Sequence, residues 1–124
     1  MIYGIGVDVV DLARFERALT RTPALRPRLF AEEEYRVNGL ELPARSLAGR
    51  FAAKEALIKA FGDSTGIRWH DMRVVSNQHR NPGFALSGAA AELAERAGVI
   101  AVHLSITHDA GIAIAYVIAE SAAP

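Results

Sequence analysis

Short runs of apolar residues, spread along the chain between polar turns, predict β-strands. Each run is rich in β-branched residues or alternates with polar ones, and Gly, Pro, Asn or Asp residues stand at its ends. The first run predicts a buried strand with one acid, Asp8, set among valines. Polar turns at residues 79–83 and 109–111 join neighbouring strands. The predicted strands cover residues 2–10, 72–78, 83–88, 99–108 and 111–120.

Apolar residues that recur every three or four positions predict helices between the strands. The longest helix covers residues 44–61 and is followed by Gly62, a common residue at helix C-termini. Asp11 is placed to cap the first helix and Ser87 to cap the last. Short helical pieces are predicted near Pro27 and at residues 31–35, and a loop is predicted at residues 38–43.

Length and composition predict one globular domain over residues 1–124. Hydrophobic residues make up 51% of the chain and charged residues 23%, which favours folding over disorder. The chain has no cysteine, so disulfides, a thiolate nucleophile and a Cys-ligated zinc site are excluded. No apolar run approaches the roughly 20 residues that span a bilayer, and the N-terminus lacks a signal-peptide pattern. We therefore expect a cytoplasmic protein that does not bind membranes.

Charge is balanced over the whole chain but not locally. Fourteen Lys and Arg residues offset fourteen Asp and Glu residues, so no overall field favours nucleic acid. In the first helix and the segment after it, however, Glu16 is the only acid before Glu32 among several arginines. This stretch is either a solvated helix face or a docking surface for an acidic macromolecule. Its arginines are Arg14, Arg17, Arg21, Arg26 and Arg28.

Two acids in apolar surroundings are candidates for metal binding. An ionised, unpaired Asp8 in a buried strand would cost several kcal/mol, so we expect it to be hydrogen-bonded, paired or bound to a cation. Glu55 on the long helix would supply a second carboxylate, and two such groups suit Mg²⁺ completed by phosphate oxygens and water. Lys54 and Lys59 beside Glu55 would otherwise be salt-bridge partners on the helix surface.

Gly4 and Gly6 do not form a dinucleotide-binding loop. They lie inside the first strand rather than after it, and Val9 stands where a third glycine would be needed. No Walker A sequence occurs either, so phosphate chemistry would need another scaffold.

The segment HLSITHD near the C-terminus places polar residues on both faces of a strand. Alternation directs His103, Ser105 and Thr107 to one face, and Ile106 and His108 to the other. A two-histidine zinc site is therefore not expected. A hydrolase triad of Ser105, His108 and Asp109 is conceivable, but strand neighbours face opposite sides and no nucleophile elbow is present.

Together these segments resemble the holo-acyl-carrier-protein synthases, the small bacterial class of 4′-phosphopantetheinyl transferases. The resemblance covers essentially the whole chain, and the strand acid and the KEAxxKA helix are its most specific parts. It implies an α+β fold in which a long central helix packs on an antiparallel sheet. The matching segments are GIGVDVVDLARF at 4–15, AGRFAAKEALIKAFG at 48–62, NPG at 81–83 and HLSITHDAGIAIAYVI at 103–118.

The resemblance implies transfer of 4′-phosphopantetheine from coenzyme A to a serine of an apo-acyl carrier protein, with release of adenosine 3′,5′-bisphosphate, in fatty acid biosynthesis. Asp8 and Glu55 would hold Mg²⁺ at the pyrophosphate, and Lys59 would stabilise the departing phosphate. Glu55, directly or through a metal-bound water, would take the serine proton. Lys54 would bind phosphate or form a supporting ion pair. No role is implied for Asp109. Other residues expected at the nucleotide site are Arg50, Phe51, Asn81, Pro82, Gly83, Ser105, Thr107 and His108.

The resemblance also implies how partners bind. Acidic acyl carrier proteins would dock on the first helix, with Arg14 as the principal contact and the other four arginines as helpers. A homotrimer with coenzyme A between neighbouring subunits is expected. The alternative is a non-catalytic module that binds a carrier protein or a nucleotide, and the joint presence of Asp8, Glu55 and Lys59 argues against it.

Overall fold

The computed structural model describes residues 1–123, and its main sheet is antiparallel with strand order β1-β7-β6. A two-stranded hairpin, β4–β5, and a very short one, β2–β3, complete the strands of these residues. The elements in chain order are β1 (Ile2–Asp11), α1 (Leu12–Arg21), α2 (Leu25–Leu29), α3 (Glu32–Tyr35), β2 (Arg36–Val37), β3 (Leu40–Glu41), α4 (Ala44–Phe61), a 3₁₀ turn (Trp69–Asp71), β4 (Met72–Ser76), β5 (Pro82–Leu86), α5 (Gly88–Ala97), β6 (Val99–Asp109) and β7 (Ile112–Ser121).

The predicted α+β architecture is confirmed, because α4 lies across one face of the main sheet and supplies much of the core. Its buried residues include four alanines and Leu57, which pack against buried Ala115 and Val117 of β7. A second apolar cluster surrounds Phe15 and Leu47 where α1 and α2 meet α4. No helix among residues 1–123 combines the length and apolarity needed to cross a bilayer.

The ends of several elements follow the sequence signals. The Asp11 side chain accepts a hydrogen bond from the Arg14 amide at 2.8 Å and so caps α1. Gly62 ends α4 with φ of 77°, and the β6–β7 hairpin turns through Ala110 and Gly111, both at positive φ. The predicted loop at residues 38–43, in contrast, includes part of a hairpin. Asn38 and Gly39, both at positive φ, form the turn that joins β2 to β3.

The prediction that β1 is a buried strand is wrong for one of its faces. Helix α4 covers only one side of the sheet, so alternate β1 side chains remain exposed: Ile5 by 50%, Val7 by 45% and Val9 by 56%. Tyr116 of β7 pairs with Val7 and is 44% exposed. We call this side the outer sheet face; its β6 residues are His103, Ser105 and Thr107.

Gly4 and Gly6 permit α4 to lie directly on the backbone of β1. A Cβ atom built on Gly6 would stand 1.8 Å from the carbonyl oxygen of Ala56, and one on Gly4 would stand 1.9 Å from that of Ala60. Because these separations are far below any real Cβ contact, the two positions accept only glycine unless α4 moves.

Candidate functional site

Asp8 and Lys59 bond to each other across the contact between β1 and α4. Asp8 lies on the covered side of β1, on the same side as Gly4 and Gly6, and its side chain is 18% exposed. The Lys59 ammonium donates to Asp8 Oδ1 at 3.1 Å and to the Val7 carbonyl oxygen at 3.0 Å. The sequence left open whether Asp8 is paired, hydrogen-bonded or bound to a cation, and in this structure a lysine pairs with it.

Glu55 stands one helical turn before Lys59 and interacts with the charge of Asp8. Burial raises the pKa of the Glu55 carboxyl, and the Asp8 charge raises it further, while Lys59 lowers it. A carboxyl group whose pKa is raised by burial and by a neighbouring acid suits a bound cation or a role as a proton acceptor. Glu55 and Asp8 also line the same cleft.

This cleft, which we call the α1–α4 cleft, has a volume of about 630 Å³ and an apolar wall beside the acids. Phe51 lies between Phe15 and Trp69, with both pairs of ring centroids 5.5 Å apart. Arg14 of α1 also lines the cleft. The remaining apolar lining comes from Val9, Val10, Ala18, Leu25, Leu29 and Ile112.

Lys54, adjacent to Glu55 in sequence, is fully buried and does not line the cleft. Its ammonium donates to Glu34 Oε1 at 2.8 Å and to the carbonyl oxygens of Leu29 at 2.7 Å and Trp69 at 3.0 Å. The expectation of a phosphate contact is therefore corrected, because burial leaves this side chain no access to a ligand. The supporting ion pair, which the sequence left as the alternative, is present. We call these contacts the Lys54 network.

Glu34 completes the network on its other side. Its Oε1 accepts from the Ala31 amide at 2.9 Å and its Oε2 from the Val74 amide at 3.1 Å, with 1% of the side chain exposed. Arg50 donates to the carbonyl oxygen of Val74 at 2.6 Å, and burial lowers the pKa of its guanidinium. Arg50 thus braces β4 against α4 in this structure.

Several residues expected at the nucleotide site lie apart from the two acids. Ser105 and Thr107 are exposed on the outer sheet face, whereas Asp8 lies on the opposite, covered face. His108 is on the covered face, where its Nε2 lies 3.1 Å from the carbonyl oxygen of Arg45. Residues 81–83 lie at the start of β5, at the tip of the β4–β5 hairpin. Of the predicted nucleotide contacts, Phe51 alone lines the α1–α4 cleft.

The arginines of the predicted docking surface divide into three groups. Arg14, Arg17 and Arg21 are exposed on α1. Arg26 forms an ion pair with Glu41 at 3.1 Å, so its charge is already neutralised by a neighbour. Arg28 is exposed and lines a separate cleft of about 380 Å³ together with Arg68, Trp69 and His70.

Sequence reasoning missed the residues that shape the cleft and the partner of Lys54. Trp69 lies between the long predicted helix and the next predicted strand, outside every predicted element. Glu34 is one of three consecutive acids in a short predicted helix, and no feature separates it from its neighbours. Its burial beside a lysine 20 residues away depends on how α3 and α4 pack. The one available signal was Trp69 itself, the single tryptophan of the chain, in an otherwise polar segment.

Asp8 and Glu55 are donor groups that the cleft offers to a divalent cation. Among residues 1–123, no cluster of three or more His, Cys, Asp or Glu side chains is positioned to hold a metal. Asp8 and Glu55 provide two hard oxygen groups whose mutual repulsion a cation would relieve. Two carboxylates with substrate phosphates and water are the usual environment of Mg²⁺, so these residues fit that ion.

The fold of a sheet crossed by one long helix is shared with proteins already solved. The Neisseria meningitidis holo-[acyl-carrier-protein] synthase is 33% identical, with a TM-score of 0.85 over 98% of this chain and 100% of that one. The Helicobacter pylori holo-[acyl-carrier-protein] synthase, solved in complex with coenzyme A, is 30% identical, with a TM-score of 0.81 over 94% of this chain and 99% of that one.

Sequence comparison leads to the same class of transferase. A holo-[acyl-carrier-protein] synthase of Leifsonia xyli is 58% identical over 120 residues, which cover 97% of this chain and 98% of the relative. The profile of the 4′-phosphopantetheinyl transferase superfamily matches residues 4–117. The chain therefore belongs to the 4′-phosphopantetheinyl transferase superfamily, and the resemblance inferred from its motifs is confirmed.

Proposed function

We propose that this protein transfers the 4′-phosphopantetheine group of coenzyme A to a serine hydroxyl of an apo-acyl carrier protein, as a step of fatty acid biosynthesis. The observation that carries the proposal is the placement of Asp8, Glu55 and Lys59 together beside the α1–α4 cleft, in a chain of this superfamily. The serine oxygen attacks the phosphorus of the pantetheine phosphate, and adenosine 3′,5′-bisphosphate leaves.

Glu55 is the group best placed to take the serine proton. Its raised pKa makes it a stronger base than an exposed glutamate, and it lines the cleft from which a carrier serine would approach. Lys59 supplies a positive charge beside the acids, suited to stabilising the phosphate that departs. Asp8 and Glu55 would hold Mg²⁺, which when bound neutralises charge on the pyrophosphate.

The carrier protein is proposed to dock on α1 and over the α1–α4 cleft. Arg14, Arg17 and Arg21 present positive charge to an acidic partner, and Arg14 lines the same cleft as Glu55. The apolar wall of Phe15, Phe51 and neighbouring side chains suits apolar residues that flank the target serine. Arg28 lies beyond Trp69 and would extend the contact, whereas Arg26 is engaged by Glu41.

Coenzyme A is proposed to bind between subunits of a homotrimer. Ser105 and Thr107 cannot reach Asp8 and Glu55 of their own subunit because the sheet separates them, but they would be available to a neighbour. The outer sheet face is apolar and exposed at Ile5 and Tyr116, as expected of a surface that packs against another copy. The nucleotide contacts expected from the sequence stay predictions within this arrangement. They are Arg50, Phe51, residues 81–83, Ser105, Thr107 and His108.

The hydrolase alternative receives no support from the geometry. Ser105 and His108 lie on opposite faces of β6, and the His108 ring nitrogen contacts the backbone of Arg45 instead of a serine hydroxyl. A cytoplasmic location stays a prediction of the sequence.

Intact-mass spectrometry of an apo-acyl carrier protein tests the proposal. With coenzyme A and Mg²⁺ we expect a gain of about 340 Da, the increment of a phosphopantetheinyl group. The gain should be lost in EDTA and reduced about a hundredfold or more in rate by Glu55→Gln. Glu92→Gln, on α5, is the matched control and should react like the wild type. No gain with any of several apo carriers, in a folded protein supplied with Mg²⁺, would contradict the proposal and favour the non-catalytic module.

A further inference from the structure

Lys54 is a buried lysine for which the proposed reaction has no direct use. All three of its ammonium protons have acceptors, one on Glu34 and two on the backbone carbonyls of Leu29 and Trp69. Both of those residues line the α1–α4 cleft, yet they belong to different segments, α2 and the 3₁₀ turn. Lys54 therefore connects two walls of the cleft to the helix that carries Glu55.

The contacts of the Lys54 network are mostly with backbone groups, which separates it from an ordinary ion pair. Glu34 accepts from the amides of Ala31 and Val74, so the pair together bonds four backbone groups, which lie in two stretches of the chain, residues 29–31 and 69–74. Burying two charges contributes little net stability in general, because desolvation offsets their attraction. An apolar pair would avoid that cost but would leave the backbone groups of the cleft walls without these partners.

Ring contacts of Phe51 act together with Lys54 to position the walls of the cleft. Phe51, one turn before Lys54 on α4, packs between the rings of Phe15 and Trp69, so α4 contacts both the ring and the backbone of Trp69. The backbone of Leu29 is tied to α4 through the same ammonium. A shift of either segment would change the shape of the cleft without moving Asp8 or Lys59, which lie at the contact with β1.

We propose that Lys54 is a positioning residue for the carrier protein, which fixes Leu29 and Trp69 so that the α1–α4 cleft fits the residues around the target serine. This inference rests on the proposed function, since it assigns the cleft to the carrier. It differs from the phosphate-binding role expected from the sequence, because it predicts an effect on the carrier and none on coenzyme A.

Two variants separate positioning from stability. Lys54→Met removes the ammonium but leaves the Glu34 carboxylate buried and unpaired, so it is expected to be the less stable of the two. Glu34→Gln/Lys54→Met removes both charges, and still lacks a donor for the carbonyls of Leu29 and Trp69. The control is Lys59→Met, the same substitution on the same helix at a position whose side chain is 54% exposed.

Steady-state kinetics with apo-acyl carrier protein, coenzyme A and Mg²⁺ supply the first measurement. In both Lys54 variants we expect the KM for the carrier to rise about tenfold while the KM for coenzyme A stays within about twofold. Lys59→Met should instead lower kcat. A purely structural ion pair predicts that the double variant recovers the carrier KM, and that result would overturn the proposal. A rise in the coenzyme A KM would overturn it in favour of phosphate binding.

Fluorescence supplies a measurement that does not depend on activity. Trp69 is the only tryptophan, so the emission spectrum and acrylamide quenching report on this wall of the cleft alone. We expect a red shift and greater quenching in both Lys54 variants and no change in Lys59→Met. Unchanged emission in the Lys54 variants would overturn the proposal, as would failure of both to fold, which would assign a structural role only. An inactive wild type would refute the proposed function, whereas an active wild type with unchanged variants refutes this inference alone.

Discussion

Lys59 bonds both the side chain of Asp8 and the carbonyl oxygen of the residue before it, Val7, at 3.1 and 3.0 Å. The lysine therefore holds its charge at the junction of β1 and α4, one helical turn from Glu55. Two acids and one lysine meet there, and the protonation of Glu55 depends on the other two. Removing either neighbour should therefore shift the Glu55 pKa in a direction that can be measured.

The pKa of Glu55 should respond in opposite directions to the loss of its two neighbours. Asp8→Asn removes a repelling charge and should lower the pKa towards its ordinary value of 4.5, whereas Lys59→Met removes a favourable charge and should raise it. Carbon-13 NMR titration of the glutamate carboxyls in metal-free protein measures both, with Glu55→Gln to assign the resonance. An unchanged Glu55 pKa in both variants would show that the Asp8 and Lys59 charges do not affect this carboxyl.

In the proposed reaction, ionised Glu55 binds the metal and accepts the serine proton, so activity should fall as the pH drops through its raised pKa. In the folded state the carboxyl holds its proton to higher pH than in the unfolded chain, so ionisation costs stability as the pH rises through that pKa. Bound Mg²⁺ favours the ionised form, and we expect added Mg²⁺ to move the acidic limb of kcat/KM to lower pH. An acidic limb that ignores Mg²⁺ concentration would contradict this.

Charge reversal on α1 should weaken carrier binding specifically. Arg14→Glu should raise the KM for an acidic carrier about tenfold and reduce the salt dependence of kcat/KM, because Arg14 is exposed and lines the cleft beside Glu55. The KM for coenzyme A should hardly change. Arg96→Glu, with the same change of charge on α5, is the control and should leave both constants near the wild type.

A charge on the outer sheet face should break the proposed trimer. Tyr116 lies on the central strand, opposite Val7 and Ser105, and burial of a glutamate there against another copy would cost several kcal/mol. Light scattering after size exclusion should therefore give the mass of a trimer for the wild type and a smaller species for Tyr116→Glu, with loss of transfer. Leu40→Glu, at a residue 73% exposed on the β2–β3 hairpin, should stay trimeric. A monomeric wild type would refute the proposed assembly.

Gly6→Ala should destabilise the fold by about 2 kcal/mol or more, since the added methyl group meets the carbonyl of Ala56. Gly83→Ala is the matched control, because a Cβ atom there meets nothing within 4 Å. Urea unfolding followed by circular dichroism measures the difference. Equal midpoints for the two variants would mean that α4 yields at this contact without cost.

Local sequence signals predicted the elements of this fold more reliably than their exposure. The cap at Asp11 and the end of α4 at Gly62 depend on neighbouring residues, so a single sequence contains the relevant information. The exposure of Ile5 depends on how many faces of the sheet are covered, which apolar alternation does not reveal. An apolar strand with one exposed face and an apolar strand buried on both faces can have the same composition.

The residues of the candidate site could be predicted where they belong to a sequence motif, but not where they are brought in by packing between distant segments. Asp8, Glu55 and Lys59 were recognised from the strand acid and the helix motif, and the structure brings them together. The pairing of Lys54 with Glu34 and the position of Trp69 in the cleft were not, because each depends on contacts between segments distant in sequence.

The absence of side chains at Gly4 and Gly6 also sets a length scale for the chemistry. Because no side chain separates the backbone of β1 from the carbonyls of Ala56 and Ala60, the strand and the helix lie in direct backbone contact. This contact sets the gap that the proposed cation would bridge between Asp8 and Glu55. A methyl group there would act as a spacer and lengthen that gap. If Asp8 and Glu55 act as proposed, catalytic rate and fold stability both depend on the spacing between β1 and α4. A variant that recovers stability by moving α4 outward would hold the two acids farther apart and stay slow.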